Sequence, residues 1–121
     1  GINILLVEDD PFFRKFYALK LQENNYAVTV AVDGEEGLAK ASQTAFNLIL
    51  LDLVMPKLDG FAFLEARRLN PALMQIPVIV FSTLGQEPDI EKASALGAND
   101  YVNKGFFDLS ILLGKIAALA R

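Results

Sequence analysis

Ile2-Asn3-Ile4-Leu5-Leu6-Val7, followed at once by Glu8-Asp9-Asp10, decides how the rest of the chain is read. A short, near-continuous apolar run that stops at acids is the pattern of a strand buried on both faces, as in parallel sheets covered by helices. Pro11 then stands where a helix can begin, and Phe13, Phe16, Tyr17 and Leu21 follow at helical spacing to about Asn25. The same change of period recurs along the chain. Val28, Val30 and Val32 alternate as a second strand closed by Asp33-Gly34, and residues 35–43 read as a short helix through Leu38 and Ala41. Leu48-Ile49-Leu50-Leu51 is a third buried strand, again ending in an acid, Asp52. The loop Met55-Pro56-Lys57-Leu58-Asp59-Gly60 leads into a helix over about 61–69. Pro77-Val78-Ile79-Val80-Phe81 is a fourth strand ending at Ser82-Thr83, and a helix from about 88 to 96 stops at Gly97. Tyr101-Val102 is a short fifth strand ending at Lys104, and Leu109, Leu112, Leu113, Ile116 and Leu119 share one face of a last helix.

Five strands alternating with five helices predict a doubly wound α/β fold: a five-stranded parallel sheet, right-handed crossovers and helices on both faces. No repeat, linker or low-complexity run interrupts the pattern, so residues 1–121 read as a single domain.

Composition narrows the chemistry. The chain carries 15 acidic and 11 basic side chains, for a net charge of −4, and has no cysteine, histidine or tryptophan. Disulfides, thiol catalysis, serine–histidine triads and most zinc sites are therefore excluded. An acidic balance argues against direct binding of nucleic acid, which needs a positive footprint. The longest uncharged stretch, residues 69–86, holds Asn70, Pro71, Gln75 and Pro77, so no membrane helix is expected. No basic region with an apolar core opens the chain, and a cytoplasmic location is the expectation. Gly1 in place of an initiator methionine suggests a processed or excised chain.

In doubly wound sheets, ligands bind beyond the carboxyl ends of the strands, near the point where strand order reverses. Those ends carry Glu8, Asp9 and Asp10 after strand one, Asp52 after strand three, Ser82 and Thr83 after strand four, and Lys104 after strand five. Taken singly, each has an ordinary explanation: a helix cap for Asp10, a turn residue for Asp52 or Ser82, a solvated charge for Lys104. Their joint placement at one edge does not. Clustered carboxylates repel unless a cation joins them, and Mg²⁺, which takes oxygen ligands and commonly binds one or two carboxylates with a phosphate, suits such a site.

With these motifs in order, the sequence resembles the receiver domain of bacterial two-component response regulators over essentially its whole length. The resemblance rests on the acidic pair Glu8-Asp9, Asp52 followed by Met55-Pro56 and Asp59-Gly60, Ser82-Thr83, and Lys104. It implies a flavodoxin-like fold with strand order 2-1-3-4-5. It further implies Asp52 as the phospho-acceptor, with Glu8, Asp9, Asp52 and the Val54 backbone carbonyl around Mg²⁺. Ser82 is the implied switch hydroxyl, Lys104 the contact to the phosphoryl group, and Tyr101 the aromatic switch on strand five. The implied partners are a sensor histidine kinase or histidine phosphotransfer protein, and a downstream effector protein or domain. That effector would meet the surface formed by strand five and the helices on either side of it, lined by Tyr101, Phe106 and Phe107. The chain would act as a monomer or phosphorylation-dependent dimer, catalysing only its own phosphorylation and slow dephosphorylation.

Three features depart from the family pattern. Gly105 follows Lys104 where a cis proline is usual; Thr83 is larger than the usual residue beside the pocket; and Val54 and Leu84 are apolar where other members orient the hydrolytic water. The last feature predicts slow decay of the acyl phosphate. Two other readings compete: a receiver-like interaction domain signalling without phosphorylation, and a hydrolase of the haloacid-dehalogenase type. The complete acid, hydroxyl and lysine set opposes the first. Val54, in place of a second acid two residues after Asp52, opposes the second.

Overall fold

Alternate residues of a strand point to opposite faces of a sheet, and in this protein the two sets build two cores. Described here are residues 1–83, 86–104 and 108–120 of a computed structural model. In chain order the elements are β1 (Asn3–Val7), α1 (Pro11–Glu23), β2 (Ala27–Ala31), α2 (Gly34–Gln43), β3 (Leu48–Leu51), α3 (Gly60–Arg68), α4 (Pro71–Met74), β4 (Val78–Ser82), α5 (Glu87–Ala95), β5 (Asp100–Asn103) and α6 (Leu109–Leu119). All strand pairs are parallel, in the order β2-β1-β3-β4-β5. Leu5, Val7, Ile49, Leu51, Val78 and Val80 face one core, closed by residues of α2 to α5. Ile4, Leu6, Leu48, Leu50, Ile79 and Phe81 face the other, closed by Tyr17 and Leu21 of α1 and Leu112 and Ile116 of α6. The continuous aliphatic runs are thus explained: beyond the exposed Asn3 at the start of β1, neither face of β1, β3 or β4 meets water.

Two details differ from the sequence reading. A sixth helix, the single turn α4, lies inside the stretch read only as uncharged. Asn70 caps it by accepting from the Ala72 amide at 3.1 Å, and Pro71 opens it. Four residues are too few for a hydrophobic period to show. On α1, the aromatic stripe is wider than the buried one: Tyr17 and Leu21 are buried, but Phe16 is partly solvent-exposed and Phe12 is 69% exposed.

Aspartates cap four of the helices. Asp10, Asp33, Asp59 and Asp108 accept from the backbone amides of Phe12 (2.8 Å), Glu36 (2.9 Å), Ala62 (2.8 Å) and Ser110 (2.9 Å). Asp10 is therefore committed to α1, which removes it from the acids at the strand ends. At the opposite end of the sheet, the buried Arg67 of α3 donates to the carbonyls of Gly97 (3.1 Å) and Ile76 (2.8 Å). It thereby ties α3 to the end of α5 and to the entry of β4. Gly97 has φ +105°, the left-handed turn that ends α5 and that side chains resist. Among the described residues no helix is long and apolar enough to cross a membrane.

Candidate functional site

The order β2-β1-β3 makes β1 and β3 neighbours whose chain connections leave in opposite directions, and the acids sit at their carboxyl ends. The Asp52 amide donates to the Val7 carbonyl at 3.0 Å and the Glu8 amide to that of Ala31 at 3.0 Å, so both acids begin where the ladder ends. Carboxylate oxygens of Glu8, Asp9 and Asp52 lie within 4.8 Å of one another. Glu8 and Asp52 are buried and Asp9 is half-exposed, which leaves the cluster open to solvent on one side.

Lys104, in the turn after β5, reaches this cluster with a side chain only 4% exposed. Its ammonium contacts Glu8 Oε1 directly and lies 3.6 Å from Asp52 Oδ2. The lysine is thus seated closer to Glu8 than to the aspartate with which the sequence pairs it. Glu8 Oε2 accepts from the Asp10 amide at 3.1 Å, while Asp52 Oδ1 accepts from the Leu53 amide at 2.8 Å. Burial pushes the Glu8 carboxyl up to about 7, against the pull of Lys104, and the nearby Asp52 charge adds to the rise. Burial raises Asp52 as well, with Lys104 opposing. Two buried carboxylates and one partly open one, all hard oxygen donors, fit Mg²⁺ better than any soft metal.

Arg14, which the sequence reading passed over, donates to the carbonyls of both Glu8 and Asp9 at 3.0 Å and holds the turn that presents them. Its only sequence signal is a basic residue one turn into a helix that follows two acids. Ser82 is the last residue of β4 and fully buried; its carbonyl accepts the Lys104 amide at 2.9 Å. Tyr101 pairs with Val80 in the β4–β5 register, and its hydroxyl is buried. Burial raises the Tyr101 phenol above its ordinary value, with Asp89 adding to the rise and Ser82 opposing it. The Val54 side chain is 56% exposed, and Thr83 is exposed. Leu84, Gly105, Phe106 and Phe107 lie outside the described residues.

The loop from Asp52 to Asp59 is held between two helix starts. The Gly60 amide donates to the Leu53 carbonyl at 2.9 Å, and a Cβ on Gly60 would stand 2.5 Å from the Asp52 carbonyl oxygen. On the other flank, a Cβ on Gly34 would stand 2.1 Å from the Leu58 carbonyl oxygen. Only a residue without a side chain lets either helix approach the loop so closely.

Fold and site define a class: a doubly wound α/β domain that gathers three acids and a lysine where its strand order reverses. The response regulator receiver domain family matches residues 4–117, and the chain belongs to that family. It is 38% identical over 119 residues to the DNA-binding dual master transcriptional regulator RpaA of Synechocystis sp., covering 98% of this chain and 49% of that protein. The receiver domain of Francisella response regulator 1452 superposes with a TM-score of 0.91 at 29% identity, covering 98% of this chain and 96% of that one. The receiver domain of the Pseudomonas aeruginosa sensor histidine kinase PA1611, solved with a magnesium ion coordinated in its active site cleft, gives 0.90 at 28% identity, covering 98% and 97%. The chain spans about half, or less, of the length of the curated relatives it matches. DNA binding in a relative's name belongs to that longer protein; the expectation against nucleic acid concerns this acidic chain alone.

Proposed function

We propose that residues 1–121 act as one receiver module in which Asp52 accepts a phosphoryl group. A sensor histidine kinase or histidine phosphotransfer protein is the donor. One observation carries this reading: three carboxylates and a lysine from β1, β3 and β5 converge within a few ångströms at the strand-order reversal. Mg²⁺, when bound by Glu8, Asp9, Asp52 and the Val54 carbonyl, offsets charge on the phosphoryl oxygens.

The remaining work falls to the chain's own residues. An Asp52 carboxylate oxygen attacks phosphorus in line; the bond from phosphorus to the donor nitrogen breaks, and the imidazole departs with the electron pair. Residues 1–121 contain no histidine, so the donor imidazole lies outside them. Lys104, already beside Asp52, pairs with the transferred oxygens. The product adds charge and acceptor oxygens next to Ser82, whose hydroxyl turns towards them while the Tyr101 ring follows. Tyr101 lines a cleft of about 210 Å³ between α5 and β5 with Ile90, Ala93 and Ser94. Its movement therefore changes the surface that an effector reads. The chain's only catalysis is then on itself.

Incubation with Mg²⁺ and acetyl phosphate, followed by intact mass, is expected to give one phosphoryl adduct that disappears with chelator and in Asp52→Asn. Failure to form an adduct with any acyl-phosphate or phosphoramidate donor favours an interaction domain that signals without phosphorylation. The apolar, exposed Val54 cannot orient water, so the adduct is expected to persist, and Val54→Asn to shorten its lifetime. Time-resolved mass spectrometry checks this, and equal lifetimes count against it.

A further inference from the structure

Lys104 carries its charge into an enclosed space, and Glu8 is not the only group that receives it. The ammonium lies 4.5 Å from the centroid of the Phe13 ring and 5.0 Å from that of Phe81, over both rings. Those distances are well inside the range in which a ring quadrupole attracts a cation, and the attraction is largest where water is excluded, as it is around this side chain. Phe81 belongs to β4 and is fully buried; Phe13 is half-buried in the first turn of α1.

Both rings are themselves held. The Phe13 amide donates to the Asp10 cap at 3.2 Å, and its ring stacks on Tyr17 with centroids 6.1 Å apart and planes at 16°. Tyr17 in turn meets Phe81 edge-on at 5.0 Å and 85°. Three rings from two elements thus form one wall of the acidic pocket, and the lysine lies against it.

We propose that Phe13 and Phe81 are positioning residues for Lys104, their ring faces holding the ammonium between Glu8 and Asp52. The proposal rests on the phospho-acceptor reading for its kinetic consequence, but not for its geometry. Neither ring touches a transferred group. Each acts by confining the cation that does, so that Lys104 meets the phosphoryl oxygens without a search through rotamers.

The test uses Phe13→Leu, which keeps apolar bulk and removes the ring face, beside Phe13→Tyr, which keeps the face. Phe13 is chosen because its position at the rim of the core tolerates exchange better than that of Phe81. The first readout is the NMR shift of the Lys104 Cε protons, assigned by comparison with Lys104→Arg, in the chelated protein. An upfield ring-current displacement is expected in the natural chain, diminished in Phe13→Leu and retained in Phe13→Tyr. The second is the initial rate of acetyl-phosphate labelling at saturating Mg²⁺, expected to fall about tenfold in Phe13→Leu and to recover in Phe13→Tyr. An unchanged Lys104 shift in Phe13→Leu, or a Phe13→Tyr as slow as Phe13→Leu, overturns the proposal. Absence of any adduct in the natural chain overturns the phospho-acceptor reading instead and leaves the NMR result to decide the aromatic clamp.

Discussion

Gly60→Ala is expected to lower the thermal midpoint by about 10 °C and to weaken Mg²⁺ binding at the same time. The first α3 residue packs against the backbone just past β3, where a Cβ would lie 2.5 Å from the Asp52 carbonyl oxygen and 2.7 Å from Leu53 Cα. Both are main-chain atoms, so no side-chain rotation relieves the clash, and either the start of α3 or the end of β3 must move. Overpacking of this kind costs up to about 3 kcal/mol. In a domain of this size each kcal/mol is worth roughly 4 °C. The constraint is one of space, since Gly60 does not have a positive φ; serine or asparagine there should do no better than alanine. Gly114 is the control. It sits within α6 with nothing inside 4 Å of its missing Cβ, so Gly114→Ala should stabilise by up to about 1 kcal/mol. Calorimetry with and without Mg²⁺ measures both substitutions. A Gly60→Ala protein that melts and binds Mg²⁺ like the natural chain would show that the loop beside Asp52 is not held as described.

Glu8→Gln is expected to be more stable than the natural chain at pH 8 in chelator, and to lose that advantage towards pH 5. The folded Glu8 carboxyl keeps its proton to about 7, whereas its ordinary value is 4.5. Between those values folding takes up a proton, so the Glu8 contribution to stability declines as pH rises, and it levels off above 7. A displacement of that size corresponds to about 3 kcal/mol. Comparing the two proteins cancels the titration of carboxylates remote from the cluster, while Asp52, whose proton Glu8 influences, shifts with the substitution. Mg²⁺ should oppose the decline, because it favours the ionised carboxylates and binds only the folded cluster. Its stabilising increment is therefore expected to grow between pH 5 and pH 8 in the natural chain. Urea unfolding at the two pH values, with chelator and with Mg²⁺, tests both statements. A pH-independent difference between the two proteins would mean that Glu8 is ionised in the folded state throughout.

Much of this was legible in the sequence because parallel sheets are strict about what they bury. Leu48 to Leu51 can be continuous only if both faces of β3 are covered, so the strand names its own layer architecture. The acids at the carboxyl ends of β1 and β3 stand out because charge follows directly on buried aliphatics. The helix α4 was hidden by its length. The seating of Lys104 was hidden by distance along the chain: Phe13 and Lys104 are far apart in sequence, and nothing in a helical period tells that one aromatic of α1 faces a lysine after β5. Arg67 was hidden for a third reason. Its guanidinium serves backbone carbonyls, which have no sequence identity to read.

The aromatic wall beside Lys104 also makes the protein report on itself. With three tyrosines, nine phenylalanines and no tryptophan, its emission and the long-wavelength part of its near-ultraviolet dichroism come from tyrosine. One of the three, Tyr17, is wedged against Phe81 and feels the charge of Glu8, and a second, Tyr101, has its hydroxyl enclosed beside β4. Two of the three chromophores thus stand around the acid cluster, and a change in its charge can be followed optically in the unlabelled chain.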